Sequence, residues 1–350
     1  MILLTQIFQK NYSEFVKAHT WRINQGVSRK GDLTMIISVD TGNKMIKTEN
    51  LEFDAGVEIL DQMPGEREEV ILYKENYYRI TSRRPSYLED KTEDERYFIL
   101  TLFAVAKELE RTKGQEERIA NGLIKVELLV GLPPAHYGKH RRAFKEYFQQ
   151  GRIIDYMYMN TPYKITFTEV RVYIQAYAAY CLVAGRQQLS RYPKVLVIDI
   201  GGFTVDYMIL RFGQLERTYV DSMEEGVIKL YRSVRAGIRQ RFGLLLEEAD
   251  VDDILSGEDV RFEVQVVERV KEITMRYVSE LLGIFREIGI DFGTTQTVFA
   301  GGGAILLNKT IQEVWKKYQG AYFIINDVRA NAKGYRLQYL AEKQEWEESK

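Results

Sequence analysis

Two stretches of this 350-residue chain place a carboxylate at the end of an apolar run, with glycine close behind. The first is Asp40-Thr41-Gly42-Asn43, after Met35–Val39 and before Met45-Ile46-Lys47. The second is Asp199-Ile200-Gly201-Gly202-Phe203-Thr204-Val205-Asp206, after Val195–Ile198. An aspartate at the mouth of a buried strand can orient water on Mg2+, because magnesium keeps several of its waters. Glycine lets a tight turn bring successive backbone N–H groups close to an anion. Lys47, returning on the second strand of the first hairpin, carries a cation within reach of a phosphate. Gly201 and Gly202 suit a clamp from the opposite side, and Thr204 adds a hydroxyl donor. A third stretch, Gly301-Gly302-Gly303-Ala304, separates apolar Val298–Ala300 from the helical pattern of Ile305–Tyr318. Three glycines there permit close approach of a flat ring or ribose, and a helix start favours negative charge. Each turn alone is ordinary: Asp-X-Gly occurs in many surface hairpins, and aspartate before Gly-Gly caps turns.

The elements that must position these turns read from the apolar patterning. Strand, turn, strand covers Ile36–Val39 and Met45–Thr48, and more strand-like pieces follow at Glu69–Lys74 and Tyr77–Thr81. A strongly apolar helix is predicted over Glu95–Arg111, then a buried strand over Leu123–Val130 closed by Gly131-Leu132-Pro133-Pro134. A helix over Tyr137–Gln149, a strand over Tyr163–Val172 and a helix over Gln175–Ala184 complete the first half. The pattern then restarts, with strands at Val195–Ile200 and Val205–Leu210 and helices at Glu224–Arg241 and Phe262–Ile288. A short strand, Thr297–Ala300, enters the glycine triplet, and a helix over Ile305–Tyr318 follows. Hairpin, strands and helices thus occur twice, which predicts two α/β lobes.

Composition bounds the function. Hydrophobic residues make up 45% and charged residues 28%, enough apolar material for packed cores. No apolar run reaches the length of a membrane span. Lys plus Arg is 49 and Asp plus Glu is 50, so the net charge of −1 argues against wrapping nucleic acid by counterion release. Cys181 is the single cysteine, and His19, His136 and His140 lack metal-ligand spacing, which fits a reducing cytosol. Met1–Leu4 is apolar but short and has no basic region before it, unlike a secretory signal. Residues 1–34 have two readings. Arg29-Lys30-Gly31-Asp32 require purine-rich codons, as a ribosome-binding site would, making Met35 the native start; alternatively Phe8, Tyr12, Phe15 and Val16 form one face of a helical arm.

The ordered set of three turns resembles the actin/Hsp70/sugar-kinase ATPase superfamily over about residues 35–340. Three further stretches look like the ParM-type bacterial actins of plasmid segregation. These are Val130-Gly131-Leu132-Pro133 with His136-Tyr137-Gly138, Asp90-Lys91-Thr92, and Ala330-Asn331-Ala332-Lys333-Gly334. The resemblance implies an α/β, two-lobe actin-like ATPase fold with four subdomains and a nucleotide cleft between the lobes. Lobe I would span 35–190 and lobe II 191–330, and 331–350 would form a C-terminal helix returning to lobe I. It implies that Asp40, Gly42, Asn43, Lys47, Gly201, Gly202, Thr204, Gly301, Gly302 and Gly303 bind nucleotide, and that Asp40 and Asp199 hold Mg2+ through water. ATP is the expected nucleotide, with GTP left open.

One position departs from the ParM-type pattern, which usually places a glutamate where Val172-Tyr173-Ile174-Gln175-Ala176 stands here. Glutamine is no strong base, but its amide can orient water, as actin's glutamine does. Gln175 and Asp199 are therefore the candidate catalytic residues, the other reading of Gln175 being a cap on the helix that runs to Ala184. The function implied is a cytoplasmic, filament-forming ATPase whose hydrolysis drives disassembly. It would segregate plasmid DNA through a DNA-binding adaptor protein on a centromere-like site, without binding nucleic acid or membrane itself. The alternatives are a sugar-type kinase of the same superfamily, for which the chain offers few inserted segments, and a cytoskeletal protein with another role. An Hsp70-type chaperone would need a peptide-binding domain after residue 350. Arg232, Arg235 and Arg239 fall on one helix face, and Lys139-His140-Arg141-Arg142 form a basic run; each reads as a partner contact or a solvated surface.

Overall fold

The computed structural model describes residues 33–348 apart from 63–64, 66–67, 84–85, 87, 112–121 and 259–260. The two readings of residues 1–34 fall almost entirely outside the described residues. Through the first half of the chain run β1 (Leu33–Thr41), β2 (Met45–Thr48), β3 (Glu52–Asp54), β4 (Gly56–Leu60), β5 (Val70–Tyr73) and β6 (Asn76–Thr81). Then come α1 (Arg96–Glu110), β7 (Ile124–Leu132), α2 (Pro134–Phe148), β8 (Ile154–Tyr158), β9 (Thr161–Ile174) and α3 (Tyr177–Ala184). The second half holds β10 (Val195–Ile200), β11 (Val205–Arg211), β12 (Gln214–Met223), α4 (Val227–Phe242), α5 (Glu248–Ser256) and α6 (Val264–Glu287). It closes with β13 (Gln296–Ala300), α7 (Gly301–Leu306), α8 (Asn308–Trp315), β14 (Tyr322–Ile324) and α9 (Ala330–Glu348).

These elements form two units, one reaching to Gln187 and resuming at Arg329, the other spanning Gln188–Val328. The first is built on a nine-stranded sheet of order β3-β2-β1-β7-β9-β8-β5-β6-β4. Its centre is parallel: β1 pairs β7, and β7 pairs β9. Parallel strands covered on both faces read as continuous apolar runs, which is why Leu128, Leu129 and Val130 of β7 are all fully buried. Helix α1 covers one face and is itself apolar nearly all round, with every residue from Tyr97 to Ala106 buried. On the other face, Leu129 and Tyr173 pack with Ala178 and with Tyr335 and Tyr339 of α9. Two glycines seat that last helix. A Cβ on Gly131 would overlap the Tyr335 hydroxyl, and one on Gly334 would overlap the Ala178 carbonyl oxygen.

The second unit has a five-stranded sheet of order β12-β11-β10-β13-β14. Its central strand β10 is buried at all six positions, pairing antiparallel with β11 and parallel with β13. Helices α4 and α6 bury Leu230, Val234, Ile238, Val270, Leu281 and Phe285 in one core with Leu196 and Ile198.

Local patterning placed most of these elements, and the differences have physical causes. β12 is an edge strand of largely polar sequence, so it carries no period-two apolar signal. The helix expected over Ile305–Tyr318 is two short helices, and the first starts at Gly301. The helix expected from Gln175 starts at Tyr177, which leaves Gln175 outside it.

Gly334→Val should lower the free energy of unfolding by about 1–3 kcal/mol, because the β-carbon meets backbone that cannot step aside. Gly138→Ala, inside α2 with open space where its Cβ would stand, should hold stability or raise it by up to about 1 kcal/mol. Chemical denaturation midpoints of the two variants against the parent check both signs.

Candidate functional site

In the first unit the β1–β2 hairpin sets Asp40 directly opposite Lys47, so both side chains lie on one face. Asp40 is buried, 3% exposed, and its carbonyl accepts the Gly42 N–H at 3.0 Å. A Cβ on Gly42 would overlap the Met45 carbonyl oxygen, so the turn requires glycine. Two side chains distant in sequence hold this turn. The Tyr97 hydroxyl donates to Asn43 Oδ1, and the buried Lys91 ammonium donates to the Thr41 carbonyl and, at 3.3 Å, to Thr41 Oγ1. Lys91 Nζ also lies 5.1 Å from the centre of the Tyr97 ring, in cation–π range.

Lys91 is itself positioned by a relay. It starts a short 3-10 turn, Lys91–Glu93, capped by Asp90, whose Oδ1 accepts the Thr92 N–H at 2.9 Å. Asp90 Oδ2 lies 3.0 Å from His140 Nδ1 on α2. Burial pushes the Asp90 carboxyl up, but the bonds from Thr92 and the charge of His140 hold it below its usual range. The stretch Asp90-Lys91-Thr92, which carried only resemblance, and His140, which read as part of a basic surface run but is buried, thus form one support behind the first turn.

Gln175 follows β9 and ends beside Asp40. Its N–H donates to the Leu132 carbonyl at 3.0 Å, and its side-chain Nε2 donates to Asp40 Oδ1 at 2.7 Å. The next residue, Ala176, is buried with φ 61° and ψ −49°, and Tyr177 N–H reaches back to the Gln175 carbonyl at 2.6 Å. That is a γ-turn at positive φ, a strained form for a residue with a β-carbon. Ala176 N–H donates to Asn331 Oδ1 on α9 at 2.9 Å. Helix α3 has no side-chain cap, and the residue flanking it is Ala176, so Gln175 does not cap it. Asp40, Lys47 and Gln175 therefore gather at the carboxyl ends of parallel strands, where α/β sheets bind ligands.

In the second unit the β10–β11 hairpin sets Asp199 directly opposite Asp206, and both are buried. Two like charges facing each other repel unless a cation or a shared proton offsets them. Asp206 was not among the expected site residues, although the two-residue period of the hairpin carried the signal. Gly201 N–H donates to the Thr204 carbonyl at 2.9 Å and closes the turn. The carbonyls of Gly201, Gly202 and Phe203 accept N–H groups from Val227, Ile228 and Gly226 at 3.1, 3.0 and 2.9 Å. The start of α4 is thus bonded to the turn itself, and a Cβ on Gly226 would overlap the Gly202 carbonyl oxygen. Sequence reasoning missed Gly226, whose partners lie more than twenty positions away.

The glycine triplet forms the first turn of α7, a correction to the loop expected ahead of a helix at Ile305. The three glycines differ in role. Gly301 has φ +86°, and a Cβ there would overlap Asp199 Oδ1; Gly303 lies against Ile200 and Val227; Gly302 faces open space. Only Gly302 leaves room for a neighbour.

Oxygen-only donors such as Asp40, Asp199 and Asp206 suit a hard divalent cation. Among the described residues no group of three or more His, Cys, Asp or Glu side chains is disposed to hold a metal alone. Among them, too, no helix is long and apolar enough to cross a membrane.

Two α/β units, each with an antiparallel hairpin carrying a buried aspartate and a glycine turn, make up the two-lobe actin-like ATPase fold. Two family models match the chain in sequence, one in each unit. Residues 66–177 match the N-terminal domain of actin-like proteins, and residues 197–313 match the C-terminal domain of the archaeal MreB-like actin homologue. The chain belongs to the actin-like proteins. No curated protein matches it in sequence. Among solved structures, apo pSK41 ParM superposes with a TM-score of 0.65 at 11% identity, covering 90% of this chain and 99% of that one. Ta0583, an archaeal actin homologue in complex with ADP, gives 0.66 at 15% identity over 88% of this chain and 99% of its own. The AlfA filament bound to AMPPNP gives 0.55 at 13% identity over 90% and 99%.

Gly301→Ala should destabilise the protein by about 1–3 kcal/mol, since a methyl group at positive φ collides with the Asp199 carboxylate. Gly302→Ala should stay within about 0.5 kcal/mol of the parent. Thermal unfolding of the pair separates the two roles.

Proposed function

We propose that this protein is an ATP-hydrolysing, filament-forming actin-like protein of the ParM type, working in the cytoplasm to segregate plasmid DNA through a DNA-binding adaptor. The observation that carries the reading is the Asp40–Gln175 hydrogen bond at 2.7 Å beside the first glycine turn. With Nε2 donating to Asp40, the amide oxygen of Gln175 is the atom left to accept a hydrogen bond from water. In hydrolysis, the oxygen of that water bonds to the γ-phosphorus while the bond from γ-phosphorus to the bridging oxygen breaks. ADP and inorganic phosphate leave, and the water's proton passes to the phosphate or to solvent, since an amide does not take it up. Catalysis of this kind consists of positioning and charge stabilisation. Lys47 and the N–H groups of the two turns offset the phosphate charge. Asp40 and Asp199 would hold Mg2+ through its waters, and the ion when bound neutralises phosphate oxygens.

Self-assembly is supported by the likeness to a filament solved with AMPPNP. The near-zero net charge fits a protein that leaves DNA contact to a partner. The nucleotide couples to assembly if the γ-phosphate favours one conformation and only that conformation fits its neighbour. ATP is the proposed nucleotide, and competition between ATP and GTP for the site decides the base.

Asp199→Ala should slow turnover by at least about a hundredfold while ATP binding persists in part, because the carboxylate acts on the metal's water shell. Steady-state phosphate release and a fluorescent-nucleotide titration measure the two; wild-type turnover removes Asp199 from the mechanism.

The parent protein should pellet above a critical concentration with Mg2+ and ATP, and also with a nonhydrolysable analogue, and should dissolve as ADP accumulates. Gln175→Ala should hydrolyse about 10²–10⁴-fold more slowly, giving filaments that form with ATP and persist. Gln175→Glu, which restores the acid of the ParM-type pattern, should turn over at least as fast as the parent. A protein that stays monomeric at high concentration with both nucleotides sinks the cytoskeletal reading.

A further inference from the structure

We propose that Asn331 is a positioning residue for Gln175, acting through the backbone of Ala176. The proposal rests on the water-orienting role of Gln175 given above.

The peptide between Gln175 and Ala176 is held at both ends. Its carbonyl accepts the Tyr177 N–H at 2.6 Å, and its N–H donates to Asn331 Oδ1 at 2.9 Å. The preceding peptide is tied by Gln175 N–H to the Leu132 carbonyl, and the Ala176 carbonyl accepts the Tyr180 N–H at 2.9 Å. Every one of these bonds but one joins β7, β9 and α3, elements of one stretch of sheet and helix. The exception comes from 155 positions further on.

Ala176 carries a β-carbon at φ 61° in a site with no exposure. A conformation of that kind persists only where the surroundings over-determine it. Without the Asn331 oxygen, a buried N–H would lose its acceptor while the φ strain remained. Rotating the Gln175–Ala176 peptide toward negative φ relieves the strain. Once the turn relaxes, the backbone at Gln175 can shift, and with it the Cα from which the side chain reaches Asp40. Asn331 is placed for the task by its helix: Gly334, three residues on, lies against Ala178 with no room for a β-carbon. Asn331 is buried and sits in the first turn of α9, where its side chain reaches the γ-turn.

The test uses the full chain and single-turnover hydrolysis of Mg2+–ATP, with the ATP dissociation constant measured alongside. Asn331→Ala should slow hydrolysis by about tenfold to a hundredfold and shift the dissociation constant by no more than about threefold, as loss of orientation rather than of binding. Asn331→Asp, whose carboxylate accepts the same N–H, should hydrolyse near the parent rate. Adding Asn331→Ala to Gln175→Ala should slow hydrolysis no further, because the two act as one unit. If Asn331→Ala does not fold, Ala176→Gly/Asn331→Ala replaces it; glycine removes the strain but leaves the peptide without its acceptor, so the same slow turnover is expected.

Parent-rate hydrolysis by Asn331→Ala, or by its replacement, while Gln175→Ala is slow overturns the role of Asn331 and leaves that of Gln175 standing. A double variant slowed by the product of the two single effects also overturns it. Parent-rate hydrolysis by Gln175→Ala overturns the reading of Gln175 itself and this proposal with it.

Discussion

A buried alanine at positive φ has to be held from outside its own segment, and at Ala176 the outside contact is Asn331. β7 and β9 run side by side and deliver Gly131, Leu132 and Gln175 to one end of the sheet. The chain then forms the whole second unit before returning at Arg329. Only when α9 is laid on β7 and α3 is the turn after Gln175 tied on both sides. Gly131 and Gly334 let that helix come close enough, and the Tyr335 and Tyr339 rings fill the space beside them. The closing contacts of the unit are therefore distant in sequence, and one of them, 155 positions long, bears on the turn after the residue that touches Asp40.

The two hairpins share a plan and differ in support. Side chains back the first: Lys91 and Tyr97 bind its turn, and Asp90 with His140 places Lys91. A helix backs the second, since three N–H groups at the start of α4 are spent on the carbonyls of Gly201, Gly202 and Phe203. Backbone bonds of this kind couple the turn to the whole helix. That same helix presents Arg232, Arg235 and Arg239 to solvent.

Identity of 11–15% with the superposed actin-like structures is compatible with a shared fold for a related reason. Much of what shapes the turns here is backbone geometry at glycine, together with burial of aliphatic strands whose side chains interchange at similar volume. Side-chain supports such as the Lys91–Asp90–His140 relay sit behind that geometry rather than in it.

Local physics made much of this protein legible from sequence. Buried strands such as Val195–Ile200 announce themselves as apolar runs, and the helix at Val264–Glu287 by its 3.6-residue period. Aspartate and glycine at the ends of such runs mark Asp40, Gly42, Asp199 and Gly201, because only tight turns need that combination there. The polar edge strand Gln214–Met223 escaped notice because it lacks an alternating apolar face. Gln175 read as the start of a helix because its neighbours Ala176–Ala184 are helix formers; the strained turn that excludes it is imposed from elsewhere. Lys91, Gly226 and Asn331 were beyond local reasoning for the same cause. Each acts on a partner about 50, 23 or 155 positions away, and no pattern within a window of sequence encodes which distant carbonyl or N–H a buried polar group will meet. The sequence by itself determined the long buried strands, most helices and the places where glycine must turn. The packing of α9 and α4 against those turns, decided only in the tertiary structure, determined which side chains hold them.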